Sequence, residues 1–329
     1  MRLPSPRGLL TEELVRALRD GVPVRGTPAP TNREDLHLAL WVLYELHYRG
    51  FDGVDDRREW DPQLLGLRAE LEEEFETELR RDCEEVVALA DDQGSIPDKL
   101  TAITAYDGGP SLPSFLQREA TSEQYAEFLK QRSLYHLKES DPHAWVVPRL
   151  DGPAKVALAE LQYDEFGAGR PERLHSKLYG DALEACGLDR TYGAYIDEVT
   201  VETLAVNNVM SLFGLHRRLR GAAMGHLAAF EMTSSLPCRR YLQGAERLQL
   251  GEAVRHYFDE HVEADAVHEQ LAARNICGAL VQAEPHLEDD ILFGAAACVV
   301  LDGVAGSRMI DAWEHGRSVV PAQADQDVA

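Results

Sequence analysis

Residues 257–271, YFDEHVEADAVHEQL, carry His261, Asp265 and His268 at positions i, i+4 and i+7. A helix turns once every 3.6 residues, so these three side chains share one face. Two imidazoles and a carboxylate make a poor apolar stripe. Such a face either stays in solvent or holds a cation. A redox-active iron takes imidazole and carboxylate ligands and keeps positions open for dioxygen. Which reading holds depends on whether other helices supply matching acids.

The rest of the chain reads as helix after helix. Thr31 and Glu34 form a T-x-x-E capping box, with Leu36, Leu40, Leu43, Tyr44 and His47 at helical spacing behind it and Gly50 as the stop. Asp61-Pro62 opens the next helix, whose buried stripe is Leu64, Leu67, Leu71, Phe75 and Leu79. Thr121 and Gln124 start another. On it Phe128, Tyr135 and Glu139 fall at i, i+7 and i+11, and Asp141-Pro142 ends it. Leu158, Leu161 and Glu165 continue one stripe after Asp151-Gly-Pro153. The run Gly167-Ala-Gly-Arg-Pro171 then interrupts the helix before Leu174, His175 and Leu178. Residues 201–234 are helical and rich in small side chains, with Glu231 extending the stripe of Met224 and Leu227 up to a stop at Pro237. Residues 289–313 form a last long, mostly apolar helix. No segment shows clear period-2 alternation with turn signals. The class is all-α, a bundle-like domain.

Four carboxylates and three imidazoles therefore lie on inward-facing stripes: Glu139, Glu165, His175, Glu231, His261, Asp265 and His268. Burying four carboxylates without cations costs roughly several kcal/mol each, or forces protonation. Four negative charges would balance two ferrous ions. Each residue also has a plain reading: Glu139 and Glu165 as helix-end surface acids, His175 as a boundary histidine. Glu172 and His175 make an alternative E-x-x-H pair, but an acid just after a proline in a first helical turn is favourable without any metal. His136, His143, His216, His226 and His286 read as structural or exposed. Tyr163, beside Glu165, and Arg308, on the last helix, are candidate substrate contacts.

Composition limits the alternatives. The 329 residues carry a formal charge of −24, which disfavours nucleic acid and anionic membranes as partners. Five cysteines, none in a C-x-x-C pair, argue against a disulfide framework or zinc ribbon and fit a reducing cytoplasm. No signal peptide or membrane span is expected.

The strings KESDPHAWVVPRL, LQYDEFGAGRPERLHSKLY, GHLAAFE and HVEADAVHE resemble the haem-oxygenase-like diiron oxidases and oxygenases, a family of iron-containing redox enzymes. The spacing of the acids and histidines is similar to that of guanidine N-oxygenating diiron domains. The resemblance spans roughly residues 125–315. It implies a seven-helix haem-oxygenase-like bundle over residues 121–316, with extra N-terminal helices in residues 1–120 packed on it and a flexible tail at 317–329. It implies that the seven named residues ligate two iron ions, that dioxygen is co-substrate and that no haem is bound. The implied chemistry is N-oxygenation of an amine or amino-acid-derived metabolite. The alternative is an oxidative C–C lyase or decarboxylase on an amino or fatty acid. A non-catalytic metal-binding module is a third reading, and a zinc hydrolase a weaker fourth, since no H-E-x-x-H is present. A small-molecule substrate, a ferredoxin or reductase as external electron donor and a homodimer complete the expectations.

Overall fold

The computed structural model describes residues 1–26 and 28–320, and of residues 263–267 the backbone alone. Helices α1 (Leu9–Asp20), α2 (Arg33–Glu45) and α3 (Pro62–Val87) come first, followed by the short α4 (Ile96–Thr104) and α5 (Leu112–Arg118). Then come α6 (Ser122–His136), the single turn α7 (Asp141–Ala144), α8 (Gly152–Glu165) and α9 (His175–Ala185). The C-terminal half holds α10 (Val201–Leu215), α11 (Arg220–Met232), α12 (Ser235–Arg247), α13 (Glu252–Gln270), α14 (Ala279–Ala283) and α15 (Glu288–Glu314). No strand occurs among the described residues, so the all-α expectation holds.

Caps explain most boundaries. Asp61 accepts from the Gln63 amide with Pro62 in the first turn, and Thr121 and Gln124 close a capping box. At α2 the cap is one residue later than the T-x-x-E pattern suggests. Asn32 accepts from the Asp35 amide, while Thr31 donates to the Asp35 carboxylate and Glu34 pairs with Arg7. Asp35 is drawn inward because it also accepts from the amides of Leu10 and Thr11, tying α1 to α2. Pro237 does not stop a helix. It sits in the first turn of α12, where a missing N–H costs nothing. The run expected as one helix over 201–234 is two, α10 and α11, separated at His216 to Leu219.

Two helices form the axis of the core. α11 packs most extensively on α15, and α15 also meets α3, α4 and α10. Small residues permit this closeness. A Cβ on Gly225 would overlap the Ile291 carbonyl, and one on Gly294 would overlap that of Ala222. By length and composition α15 could cross a membrane, yet most of its apolar window is buried inside the protein. The N-terminal helices share one continuous apolar core with it: Leu14, Leu40 and Phe75 belong to the same cluster as Leu212, Leu227 and Ile291. The C-terminal stretch is docked as far as Val319, which is buried and whose amide donates to Glu127. Residues 321–329 of the expected tail lie outside the described residues.

The core also holds neutral histidines. His37 and His226 are buried, and burial pulls each down to about 3. Their ordinary value is about 6.5, so below that pH the unfolded chain takes up protons that the folded chain refuses. Their stabilisation is present above pH ~6.5 and is lost as pH falls towards ~3, by up to ~1.4 kcal/mol per pH unit for each group. His268 has the opposite shift, up to about 11, and is protonated in both states below pH ~6.5, so it adds no slope there. Urea midpoints of metal-free protein are therefore expected to fall between pH ~6.5 and ~5. His37→Gln should flatten that fall by one group's share, and an unchanged slope would contradict this assignment.

Candidate metal centre

Six of the seven expected ligands converge into two adjacent groups in the middle of the bundle. Glu139, His175 and His261 each bring one ligand atom within 4.8 Å of the others, and so do Glu165, Glu231 and His268. All six are buried, between 1% and 6% exposed. Asp265 lies on α13 between His261 and His268, but its side chain is outside the described residues.

The elements deliver these side chains in ways the linear pattern hides. Glu139 is not on a helix face. α6 ends at His136, and Ser140 adopts a left-handed φ of 68° ahead of the Pro142 turn. The tight 137–140 turn swings the Glu139 carboxylate inward. Glu165 is the last residue of α8 and His175 the first of α9. Between them Gly167, Ala168 and Gly169 all have positive φ. A Cβ on Gly167 would run into the backbone of Arg170 and Leu174, so this reversal requires glycine. It brings the His175 Nδ1 within 3.0 Å of Glu165 Oε2. Glu231 lies in the last turn of α11 and is placed by the α11–α15 contact. His261 and His268 stand two turns apart on α13.

Hydrogen bonds set the state of each donor. The His261 Nδ1 lies 2.8 Å from the Tyr257 carbonyl oxygen. A carbonyl only accepts, so Nδ1 carries a proton and the ring turns Nε2 towards Glu139, 3.5 Å from Oε1. His175 likewise donates from Nδ1 to Glu165, which leaves Nε2 for the first group. Glu139 accepts from the Tyr257 hydroxyl at 3.2 and 3.1 Å and from His136 Nδ1 at 2.8 Å. Burial would raise its carboxyl, but His136 and His261 hold it well below the usual range. Burial opposes ionisation of Glu165 too, and His175 overcomes it. The His268 Nδ1 faces Glu165 Oε1 at 3.4 Å and Glu231 Oε2 at 3.5 Å, and its Nε2 faces Asp164 Oδ2 at 3.5 Å. Burial pulls this imidazole down, yet Glu165 and Glu231 push it up to about 11. Tyr135 is buried, and the carboxylates of Glu139, Glu165 and Glu231 add to burial in pushing its phenol far up.

The donor set fits iron. One group offers two imidazoles and a carboxylate, the other two carboxylates and an imidazole, all hard or borderline donors with no thiolate among them. The outer partners are not legible in the sequence alone. His136 reads there as structural or exposed, and nothing local singles out Tyr257 or Asp164. His136 and Glu139 stand three residues apart, the one spacing that signals a pair. Replacing Tyr257 by Phe removes the hydroxyl donor while keeping the ring. Outer partners typically contribute roughly 10- to 100-fold in metal affinity, so ferrous-ion titration of Tyr257→Phe should show a loss of that order; unchanged affinity would mean that the hydroxyl does not tune Glu139.

A cavity of about 310 Å³ opens onto the first group, with Glu139, His136 and His261 in its lining. Its walls include Phe128, Tyr179, Phe230, Tyr241 and Phe258, and residues 106–113 border it. Neither Tyr163 nor Arg308 lines it. The Tyr163 hydroxyl donates to the Ala168 carbonyl within its own turn, and Arg308 faces Asp311 across an exposed helix surface. Both are deflected by a nearer local partner.

Comparison with known proteins agrees with this geometry. Over 148 residues the chain is 30% identical to a nitrosourea synthase from Streptomyces achromogenes subsp. streptozoticus. The match covers 45% of this chain and 31% of that protein, so the chain spans about a third of the relative it matches. The family model for iron-containing redox enzymes matches residues 126–303, more than half of the chain and a span that includes both donor groups. The chain is therefore an oxidoreductase that belongs to the haem-oxygenase-like family of iron-containing redox enzymes.

Proposed function

We propose that this protein is a non-haem diiron oxygenase that uses dioxygen to N-oxygenate an amine or an amino-acid-derived metabolite. The observation that carries the reading is the convergence of six buried ligand side chains into two neighbouring groups. Glu139, His175 and His261 would hold one iron and Glu165, Glu231 and His268 the other, with Asp265 as the further carboxylate on α13. Bound there, ferrous ions supply the electrons and open coordination positions with which dioxygen is activated. The protein does the rest. Tyr257 and His136 keep Glu139 ionised and oriented, the Tyr257 carbonyl fixes the His261 tautomer, and the aromatic walls exclude water from the end of the cavity where substrate meets the first group. An external ferredoxin or reductase would supply the reducing electrons. Similarity to a nitrosourea synthase supports nitrogen as the atom oxidised.

The test is to load protein anaerobically with ferrous ion and expose it to heavy-isotope dioxygen with a panel of amines, guanidines and amino acids. The expected product is a hydroxylamine or N-hydroxyguanidine that carries the isotope. Carbon dioxide release or chain cleavage would assign the lyase chemistry instead. Failure of any panel member to alter oxygen consumption would count against the oxygenase reading.

A further inference from the structure

The cavity that leads to Glu139 has one feature its chemistry does not demand. Arg132, on α6, and Asp302, on α15, form an ion pair across its lining at 2.7 Å. The Arg132 side chain is 17% exposed and lies 5.9 Å from the centre of the Phe128 ring, while Asp302 is 49% exposed. Apart from His136 and the donor group, the other charged residue among the described lining is Asp107. A pair that only tied α6 to α15 would be cheaper facing bulk water. Set in an aromatic wall, Arg132 loses most of its solvation while Asp302 keeps about half of its own, so the pair gains little net stability. Its value lies in what it can bind.

Both members have capacity left. Arg132 has five N–H donors in a rigid fork, more than Asp302 and the neighbouring Tyr241 hydroxyl use, which leaves donors for a second carboxylate. Asp302 keeps acceptor lone pairs towards the open side. A ligand that carries a carboxylate and an ammonium a few atoms apart would close a ring of four alternating charges. Arg132 and His136 fall at i and i+4 on α6, roughly 6 Å apart along the helix axis, and His136 Nδ1 lies 2.8 Å from Glu139 of the first donor group. A head group held there would send its side chain along the cavity towards the metal site.

We infer that the Arg132–Asp302 pair is a specificity anchor for the α-amino and α-carboxylate groups of an amino-acid substrate. This rests on the proposal that the donor groups are the reaction centre. A ligand lacking the carboxylate forgoes charge-assisted hydrogen bonds to the largely buried Arg132 fork. That loss corresponds to roughly 10- to 100-fold in affinity.

The experiment is calorimetric titration of the full chain under anaerobic conditions, with and without ferrous ion, using L-arginine, L-lysine, L-ornithine, L-tyrosine and L-phenylalanine. Each is paired with its decarboxylated amine. At least one amino acid should bind, with its amine about 10- to 100-fold weaker. Arg132→Gln should weaken the amino acid by a similar factor while barely moving the amine. If Arg132→Gln does not fold by circular dichroism, Asp302→Asn decides, because it keeps the volume and removes only the charge. Equal affinity for acid and amine, no effect of the folded variants, or no binding by any of the five amino acids would overturn the anchor. Iron content, measured separately, keeps the two readings apart. Arg132-dependent binding by protein that holds no iron would sink the metal centre and leave the anchor, and iron-replete protein that ignores amino acids would do the reverse.

Discussion

Glu231→Ala is expected to lower the iron content from two per chain to one or less, and to reduce turnover by more than the roughly 10- to 100-fold that loss of an outer partner costs. The reason is local. Glu231 is buried at the end of α11 and shares the His268 imidazole with Glu165. Without it the second group keeps one carboxylate and one imidazole, too few to hold an ion against water. The same change weakens the pull on His268, whose proton affinity should fall. Added ferrous ion should stabilise the wild type by about 2.7 kcal/mol at a hundred times its dissociation constant. The variant should lose a large part of that gain. Colorimetric iron counting and melting curves with and without ferrous ion read both effects. Two irons per chain in folded Glu231→Ala would remove this residue from the ligand set.

The second large effect concerns the contact that positions Glu231. By helix propensity alone, Gly225→Ala should stabilise the protein by up to about 1 kcal/mol. The structure predicts the opposite sign. The added methyl would overlap the Ile291 carbonyl, a backbone atom that cannot rotate away, so α11 and α15 must separate. Overpacking of this kind costs about 3 kcal/mol, and here the displaced strut also carries a ligand. Gly66→Ala is the control. That glycine is in α3, and the space its methyl would take has no other atom within 4 Å, so about 0.5–1 kcal/mol of stabilisation is expected. Urea unfolding of the two variants decides between propensity and contact. A stabilised Gly225→Ala would show that the helices have slack.

Residue type and spacing carry much of this fold. Helical stripes, proline-marked starts and the acids that continue apolar faces are readable because each is a local property of one segment. Placement within an element is less so. By spacing, Glu139 rides a helix face at i+11 from Phe128, but the helix ends three residues earlier and a turn presents it instead. Asn32 rather than Thr31 caps α2 because Asp35 is claimed by α1, a tertiary demand that no local motif records. The same blindness hides Tyr257 and His136, which matter only because α6 and α13 meet. It also hides the pair of Arg132 with Asp302, 170 residues apart. Tyr163 and Arg308 fail to reach the cavity for the complementary reason: a partner close in sequence captures each of them first.

The central claim is that cations gather these acids and imidazoles in the bundle interior. Anomalous diffraction at the iron absorption edge, from crystals grown anaerobically with ferrous ion, tests it most directly. Two iron peaks are expected, one among Glu139, His175 and His261 and the other among Glu165, Glu231 and His268. Iron only at surface carboxylates, with both interior groups free of anomalous density, would contradict the account.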